Sequence, residues 1–271
     1  MDCLVLLQAL KKLPEREDGE APQLQVSVGF AACGTVINIH QDYCSDVWGQ
    51  VWKAGVAMMN YVQHLGADGF WKGKKVLDLG SGTGLLGIAL SLLGAHVMVT
   101  DVASALDQLR LNVRANTDPS KHKIVVRELD WYVEVPQDLK RTRWDFVLAT
   151  DVIYNPIHFE ALMATLEQVC NPTNTLLLGY EKRPHTARFF ELLYSAFQEK
   201  IKVPYEQFCK PEEQNDMRRV ALFHFQKLPV DLVVPNYRQT QEIYDLTNSS
   251  SDPSHIPLYW SITREADWSS T

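Results

Sequence analysis

The chain has 271 residues, of which 46% are hydrophobic and 22% charged, a composition that excludes a disordered, collagen-like or coiled-coil protein. Its 26 Lys and Arg against 33 Asp and Glu leave a net charge of −7, which argues against broad electrostatic binding to nucleic acid or anionic membrane. No apolar run approaches the ~20 residues that cross a bilayer, and the five cysteines are scattered without a C-x-x-C pair. We therefore expect a soluble, unsecreted protein in a reducing compartment, without disulfides or a metal site.

The first predicted elements are a β-hairpin and an amphipathic helix. Residues 24–39 contain two β-rich runs separated by a small-residue turn, which is the pattern of a hairpin. From Trp52 to Leu65, apolar residues recur at steps of three and four and so describe one face of a helix. Gly66 and Gly69 are expected to end that helix.

Strands and helices then alternate as far as residue 226. The predicted strands are 75–79, 96–100, 123–129, 144–150, 175–180, 201–205 and 220–226. The predicted helices lie at about 83–93, 103–115, 158–169 and 186–198. Such alternation is typical of a mostly parallel sheet covered on both faces, and right-handed crossovers make it a doubly wound α/β fold.

We predict three parts in the chain: an N-terminal extension with the hairpin (1–44), an α/β domain (45–228) and a polar C-terminal tail (229–271). The tail differs in composition, because Pro, Ser, Asn and Thr interrupt its apolar residues. We expect it to be poorly structured.

The strongest motif is V-L-D-L-G-S-G-T-G-L-L-G-I-A-L at 76–90, in which a buried strand ends in a glycine turn that opens a helix. Gly80, Gly82 and Gly84 lack the Cβ atoms that would keep a ligand from the backbone, and the helix presents unpaired N–H groups. The next strand ends at Asp101, where a carboxylate can accept hydrogen bonds from ribose hydroxyls. These features together predict a nucleoside cofactor.

Two cofactors compete for this turn. Gly82, Gly84 and Gly87 also satisfy the dinucleotide fingerprint G-x-G-x-x-G. The segment D-L-G-S-G-T-G at 78–84 instead resembles motif I of class I methyltransferases, which favours S-adenosyl-L-methionine. No tyrosine is followed by lysine four residues later, so a common hydride-transfer pair is missing, although other dehydrogenase types stay open.

A second motif follows the strand at 144–150, where Asp151 and Tyr154 stand at a strand's carboxyl end, the place where open α/β sheets hold ligands. These two residues match the D-x-x-Y signature of a known family. The segments 76–101, 129–131, 144–154 and 176–183 resemble the protein-lysine methyltransferases of the methyltransferase-like 21 group, within methyltransferase family 16.

This resemblance implies a seven-stranded, Rossmann-like class I methyltransferase sheet with S-adenosylmethionine as cofactor. It places Asp78 near the cofactor's amino acid end, Trp131 in the wall of the adenine pocket and Trp52 beside the cofactor. It implies a protein substrate such as a chaperone, an AAA ATPase or a translation elongation factor. Independently of the resemblance, we expect a monomer in the cytoplasm or, alternatively, the nucleus. The predicted cofactor-binding residues are Trp52, Asp78, Gly80, Ser81, Gly82, Thr83, Gly84, Asp101, Trp131 and Thr150.

The predicted catalytic residues are Asp151 and Tyr154. Methyl transfer needs the lone pair of an amine, whereas free lysine has a pKa of ~10.4 and is protonated at neutral pH. A desolvated channel and a neighbouring positive charge both lower that pKa. We expect Asp151 to orient the ammonium and Tyr154 to shape the channel. His40, His158 and His185 have no ligand-like spacing, so we take them as structural or surface residues.

Two other functions remain open at this point. The chain could be a cofactor-binding scaffold without catalysis, which the intact Asp151 and Tyr154 argue against. It could also methylate another protein residue or nucleic acid. A nucleic-acid enzyme is expected to have an N/D-P-P-Y/F type motif and a basic surface, whereas here Asn155-Pro156 lacks the rest of that motif and the net charge is −7.

Overall fold

The computed structural model of the protein describes residues 23–42 and 47–229. Apart from residue 229, the predicted tail 229–271 lies outside the described residues. So do residues 1–22 and 43–44 of the predicted N-terminal extension and residues 45–46 of the predicted α/β domain. The boundaries proposed for the three parts of the chain therefore stay predictions.

The N-terminal hairpin predicted from sequence is confirmed. Strand β1 (Gln23–Phe30) pairs antiparallel with strand β2 (Thr35–Asp42), and the register places Val28 opposite Ile37. Alternate residues of both strands point into the protein, as the two-residue period of a strand requires. The buried side chains are Val26, Val28, Phe30, Ile37 and Ile39.

Seven further strands and seven helices follow in the described part of the chain. The strands are β3 (Lys75–Leu79), β4 (His96–Asp101), β5 (Lys123–Glu128), β6 (Phe146–Thr150), β7 (Thr175–Glu181), β8 (Phe197–Lys202) and β9 (Val220–Lys227). The helices are α1 (Lys53–Leu65), α2 (Leu85–Leu92), α3 (Leu106–Asn116), α4 (Gln137–Arg141), α5 (Phe159–Val169), α6 (Ala187–Ala196) and α7 (Gln214–Met217).

These seven strands form one sheet in the order β5-β4-β3-β6-β7-β9-β8. Strands β3 to β7 are parallel, whereas β9 runs antiparallel to both β7 and β8. The sheet is therefore the mostly parallel, seven-stranded, doubly wound α/β sheet that the sequence predicts. The strand order reverses between β3 and β6, so the carboxyl ends of these two strands flank the crevice where such sheets bind ligands.

The prediction was wrong where α6 meets β8. The helix ends at Ala196 rather than at residue 198, and the strand covers Phe197–Lys202 rather than 201–205. Phe197 continues the apolar face of α6 in sequence, yet its backbone is extended at φ −131 and ψ 149 because it pairs with Lys227 of β9. Pairing across the sheet overrides the local helical pattern.

Helices cover the sheet on both faces, which produces two apolar clusters. One contains residues of α1, α2, α3 and the hairpin, and the other contains residues of α5 and α6. The free edge of β2 is joined to α3 by side-chain amides. Asn112 Oδ1 accepts from the His40 backbone N–H at 2.8 Å, and Asn116 Oδ1 accepts from that of Asn38 at 2.7 Å. The hairpin is thus packed into the same core as the sheet. In residues 23–42 and 47–229, no helix is long and apolar enough to span a membrane.

Candidate active site

A cleft of about 400 Å³ opens at the carboxyl ends of β3, β4, β5 and β6. The segment 47–52, which leads from the hairpin to α1, forms its opposite wall. Its volume is in the range of small-molecule sites. The glycine turn after β3 and the D-x-x-Y segment after β6 both line this one cleft, although they are some 70 residues apart in sequence.

The glycine turn is shaped by close approaches of other groups. Gly82 has φ +52, and a Cβ atom there would lie 3.0 Å from the carbonyl oxygen of Trp48 across the cleft. Gly84 has φ +83 and is the N-cap residue of α2, and a Cβ there would lie 2.5 Å from Leu109 Cδ1. Of the three predicted glycines, Gly80 and Gly82 line the cleft and Gly84 does not. Gly84 is placed instead against α3, so its small size serves packing.

The Asp101 carboxylate holds the glycine turn against the end of β4. Its Oδ2 accepts from the Gly82 backbone N–H and its Oδ1 from that of Val102, both at 2.8 Å. Burial raises the pKa of Asp101, whereas these two N–H donors lower it. A carboxylate can accept about four hydrogen bonds, so Asp101 keeps capacity for a ligand's hydroxyl groups.

Two buried oxygens in this region have no hydrogen-bond partner among the described residues. They are Asp78 Oδ2, at the end of β3, and Thr150 Oγ1, at the end of β6. Both residues line the cleft. Burial raises the pKa of Asp78 to about 7, an effect that Ser81 opposes by hydrogen bonding and that the neighbouring Asp101 charge reinforces. Because unpaired buried polar atoms are costly, these two acceptors fit a ligand that brings donors.

Aromatic residues form two walls of the cleft. Trp52 is half-buried, and its indole Nε1–H donates to the Val47 carbonyl at 2.8 Å, which fixes the ring beside the 47–52 segment. Trp131, in the loop after β5, is half-buried and its ring packs edge-on against His158. The side chains of Ser81 and Thr83 also line the cleft. Except for Gly84, all the predicted cofactor residues thus meet in one place.

Asp151 has an unusual backbone conformation, and each oxygen of its carboxylate accepts a hydrogen bond from a backbone N–H. Among the described residues, Asp151 is the only one other than glycine that has a positive φ, at 56°. Its Oδ2 accepts from the Ala54 backbone N–H at 3.0 Å and its Oδ1 from the Glu181 N–H at 3.1 Å. Burial is the main effect on the pKa of Asp151 and raises it to about 6. The N–H groups of Glu181 and Ala54 and the charge of Arg183 oppose this rise, whereas the negative charge of Glu181 adds to it. Strained residues held by their surroundings cluster at functional sites.

The structure brings Tyr154 to the same cleft and adds His158, which the sequence did not single out for function. The ring centroids of Tyr154 and His158 are 5.7 Å apart, and both side chains line the cleft. His185 approaches from the short turn that precedes α6, with its Nε2 2.7 Å from the Tyr154 carbonyl oxygen. His158 is therefore a residue of the cleft wall rather than a surface residue, because the turn after Asn155 folds back over the D-x-x-Y segment.

Sequence reasoning missed other lining residues. Four of them were given no role from sequence, and two of these lie close in sequence to the predicted tryptophans Trp52 and Trp131: Val47, Trp48, Gln50 and Tyr132. Arg183 lines the cleft, whereas Glu181 does not. Within the described ranges, no group of three or more His, Cys, Asp or Glu residues is arranged to hold a metal ion.

The arrangement defines a class of protein. A doubly wound sheet with an antiparallel β9, a glycine turn after β3, an acidic residue after β4 and orphaned acceptors in the cleft together describe a class I methyltransferase. The site residues fit S-adenosylmethionine, because Asp78 can face a cationic amine, Asp101 can face hydroxyl groups and the Gly82 turn leaves room near the backbone.

Comparisons with known proteins narrow this class. A family described as lysine methyltransferase matches residues 33–196. EEF1A lysine methyltransferase 3 of Xenopus tropicalis is 37% identical over 60% of this chain and 72% of its own length. Protein N-lysine methyltransferase METTL21A of Mus musculus is 37% identical over 55% of this chain and 68% of its own. Protein-lysine methyltransferase METTL21E of Bos taurus is 33% identical over 55% and 52%, respectively. The chain belongs to the lysine methyltransferase family, whose methyl donor is S-adenosylmethionine.

Proposed function

We propose that this protein transfers a methyl group from S-adenosylmethionine to the side-chain amine of a lysine in a protein substrate. A translation elongation factor is the first substrate class to test, because the relative from Xenopus tropicalis is named for EEF1A. Chaperones and AAA ATPases are the other two classes that the sequence resemblance implies.

The observation that carries the proposal is the juxtaposition of two kinds of group in one cleft. Asp78 Oδ2 and Thr150 Oγ1 are buried acceptors without partners among the described residues, and they lie on the same cleft as Asp151 and Tyr154. The first pair fits the donors of a bound nucleoside amino acid. The second pair stands at the carboxyl end of β6, at the rim, where a substrate side chain can enter.

When bound, S-adenosylmethionine supplies an electrophilic methyl group on a positively charged sulfur. Asp78, Asp101, Trp131 and Thr150 would hold the donor. The glycine turn would approach it with backbone atoms, because Gly80 and Gly82 line the cleft and have no side chains.

Asp151 would then hold and aim the lysine. With a pKa of about 6, its carboxylate is mostly ionised at neutral pH and can accept a charge-assisted hydrogen bond from an ammonium group. The Ala54 and Glu181 N–H groups fix the position of both oxygens, so the accepting lone pairs have a set direction. Since a carboxylate favours the charged amine, the proton must leave as the amine moves on toward the methyl group, or through water.

Tyr154 and His158 would narrow the channel through which the lysine approaches. Their rings contact each other, and the Tyr154 backbone is bonded to His185. Such packing restricts a long, flexible side chain to few conformations, and positioning of this kind is the main contribution that a methyl transfer needs.

The test is methyl incorporation from tritiated S-adenosylmethionine into purified elongation factor 1A and into cell lysate treated with nuclease or with protease. We expect protease-sensitive, nuclease-resistant label on a lysine identified by mass spectrometry. Label on another residue type or on nucleic acid would overturn the lysine assignment. Binding of the donor without any incorporation would favour the alternative of a non-catalytic scaffold.

A further inference from the structure

Three large apolar side chains are exposed on the two loops at the mouth of the cleft. Tyr132 and Val133, in the loop after β5, are each 59% exposed, and Ile157, in the turn after the D-x-x-Y segment, is 68% exposed. We call these three residues the mouth patch. Tyr132 itself lines the cleft, as does His158, the neighbour of Ile157. The patch is therefore continuous with the cleft.

The mouth patch is held in place by hydrogen bonds between its two loops. The Tyr132 hydroxyl donates to the Ile157 carbonyl at 2.9 Å and is 2.8 Å from His158 Nδ1. Each loop is also braced locally: Asp130 Oδ1 accepts from the Tyr132 N–H, and Asn155 Oδ1 accepts from the Ile157 N–H. The apolar side chains are thus presented from a fixed backbone, which lowers the entropy cost of binding a partner.

Two other exposed apolar side chains of the described chain lie away from the cleft. Val125 (55% exposed) lies on the edge strand β5 and Ile201 (46% exposed) on β8 at the opposite edge of the sheet. Scattered exposed residues of this kind are ordinary in proteins, whereas neighbouring ones beside a binding site indicate an interaction surface. These two residues are matched controls for the mouth patch.

We propose that the mouth patch docks an apolar side chain of the substrate protein that lies close in sequence to the target lysine. The inference rests on the proposed function and adds a recognition element to it. The lysine must enter through the mouth that the patch borders. Because each residue of an extended chain advances it by only roughly 3.3–3.6 Å, the docked side chain should belong to the same short segment of the substrate as the lysine. This contact would select among lysines without touching the methyl donor.

The experiment compares Ile157→Ser and Val133→Ser with the controls Ile201→Ser and Val125→Ser. Initial rates of methyl incorporation are measured against the concentration of purified elongation factor 1A and, in parallel, of nuclease-treated lysate protein. We expect the two mouth-patch variants to raise KM or the half-saturating concentration about tenfold, with kcat nearly unchanged. The controls should behave as the wild type, and calorimetry should give the same S-adenosylmethionine affinity for all five proteins.

The outcomes separate the docking proposal from the proposed function. A wild-type protein that labels neither acceptor overturns the proposed function, and the docking proposal falls with it. An active wild type with unchanged KM in both mouth-patch variants overturns the docking proposal alone, as does an equal effect of the control substitutions. Loss of kcat instead of KM would also contradict docking.

A second copy of the chain is the competing occupant of the mouth patch. Light scattering of the wild type and of Ile157→Ser distinguishes the two. An oligomer in the wild type that Ile157→Ser dissociates would assign the patch to contacts between copies, and the docking proposal would be wrong. The same mass for both proteins together with the raised KM supports docking of substrate.

Discussion

The side chain of Asp151 accepts a hydrogen bond from the backbone N–H of Ala54, a residue 97 positions earlier, over 3.0 Å. Ala54 lies in the first turn of α1, where the residue in the capping position, Trp52, makes no side-chain cap bond of its own. Asp151 therefore caps α1 from across the cleft. Because its other oxygen accepts from Glu181 at the end of β7, one carboxylate joins α1 to two strand ends of the sheet. Asp151 has a structural role as well as the proposed catalytic one.

Substitution of Asp151 separates these two roles. Asp151→Ala leaves the two N–H groups without their acceptor and puts at positive φ a residue that tolerates the left-handed region less well than Asp, so we expect a loss of about 2–4 kcal/mol in stability. Methyl transfer should fall at least about a hundredfold, because the amine is neither held nor aimed. Thermal unfolding and methyl incorporation are the two measurements, with S-adenosylmethionine titration showing a much smaller change.

The conservative variant Asp151→Asn is the control. Asn keeps a carbonyl acceptor and tolerates the left-handed conformation, so it should recover part of the lost stability. It carries no charge, so it should stay nearly inactive. Full activity in either variant would remove Asp151 from the mechanism.

Two substitutions of Tyr154 separate the contribution of the shape of its ring from the contribution of hydrogen bonding by its hydroxyl. Tyr154→Phe keeps the ring that contacts His158 and removes the hydroxyl, so we expect a partial loss of methyl transfer. Tyr154→Ala also removes the channel wall and should cost more. Rates of incorporation at saturating substrate give the comparison. Equal losses in the two variants would mean that the ring contributes nothing and the hydroxyl contributes everything.

Asp101 is expected to govern affinity for the methyl donor. Asp101→Ala removes the acceptor for ribose hydroxyls and frees the N–H of Gly82, so binding should weaken by roughly 1–3 kcal/mol. Asp107→Ala is the matched control, since the Asp107 side chain is on the surface of α3. Calorimetry measures the affinity of the wild type and both variants for S-adenosylmethionine and for NAD. Tight binding of NAD and none of the methyl donor would contradict the cofactor assignment.

Ionisation of Asp78 should lower the stability of the ligand-free protein as pH rises, and it should raise the affinity for the methyl donor. Its pKa in the folded protein, about 7, lies above the usual value, so the folded state holds a proton that the unfolded chain has released. Stability of the ligand-free protein should therefore fall as pH rises from about 4 to 7. Affinity for the cationic donor should rise through pH 7, because only the ionised carboxyl attracts an ammonium.

Thermal unfolding and calorimetry between pH 5 and 8 check both slopes, with Asp78→Asn as the comparison. The variant should lose the rise in affinity and show a flatter stability profile. The remaining slope would come from groups such as Asp151, whose raised pKa of about 6 has the same sign. Asp118, with a lowered pKa of about 2, stays ionised throughout this range and contributes nothing to it. If the affinity of Asp78→Asn for the donor depends on pH as that of the wild type does, Asp78 does not bind the donor's amine.

The predicted C-terminal boundary can be tested by truncation. The last described backbone contact of the sheet is the Leu228 N–H donating to the Ala196 carbonyl at 2.8 Å. A chain that ends at Pro229 keeps this contact, so we expect it to fold and to bind S-adenosylmethionine with wild-type affinity. Circular dichroism and calorimetry measure the two properties. Unfolding on truncation would show that residues 230–271 belong to the domain.

Much of the fold was predictable because its signals are local. Apolar runs and helical periods fall in regular alternation between residues 75 and 226, and that alternation alone implies a parallel sheet. The junction at Phe197 was not predictable, because its extended backbone depends on pairing with β9 some 30 residues later. Hydrophobicity alone does not distinguish a helix end from a strand start at such a residue.

The candidate site also contains residues that the sequence predicts and residues that it does not. Asp78, Asp101 and Asp151 are recognisable because each stands where a predicted strand ends. His158 carries no such signal, and it reaches the cleft only because the turn after Asn155 folds back onto Tyr154. The bond from Ala54 to Asp151 is equally invisible in sequence, since nothing local marks which carboxylate caps α1.

The hydrogen bonds between β2 of the hairpin and the side-chain amides of Asn112 and Asn116 in α3 have a consequence for synthesis of the protein. His40 and Asn38 are bonded to side chains that follow them by 72 and 78 residues. At translation rates of about 5–20 residues per second, the hairpin is made on the order of 4–15 s before the helix that completes it. A two-stranded sheet alone is marginally stable in water. The unpaired edge of β2 therefore gains its hydrogen-bond partners only after α3 has left the ribosome.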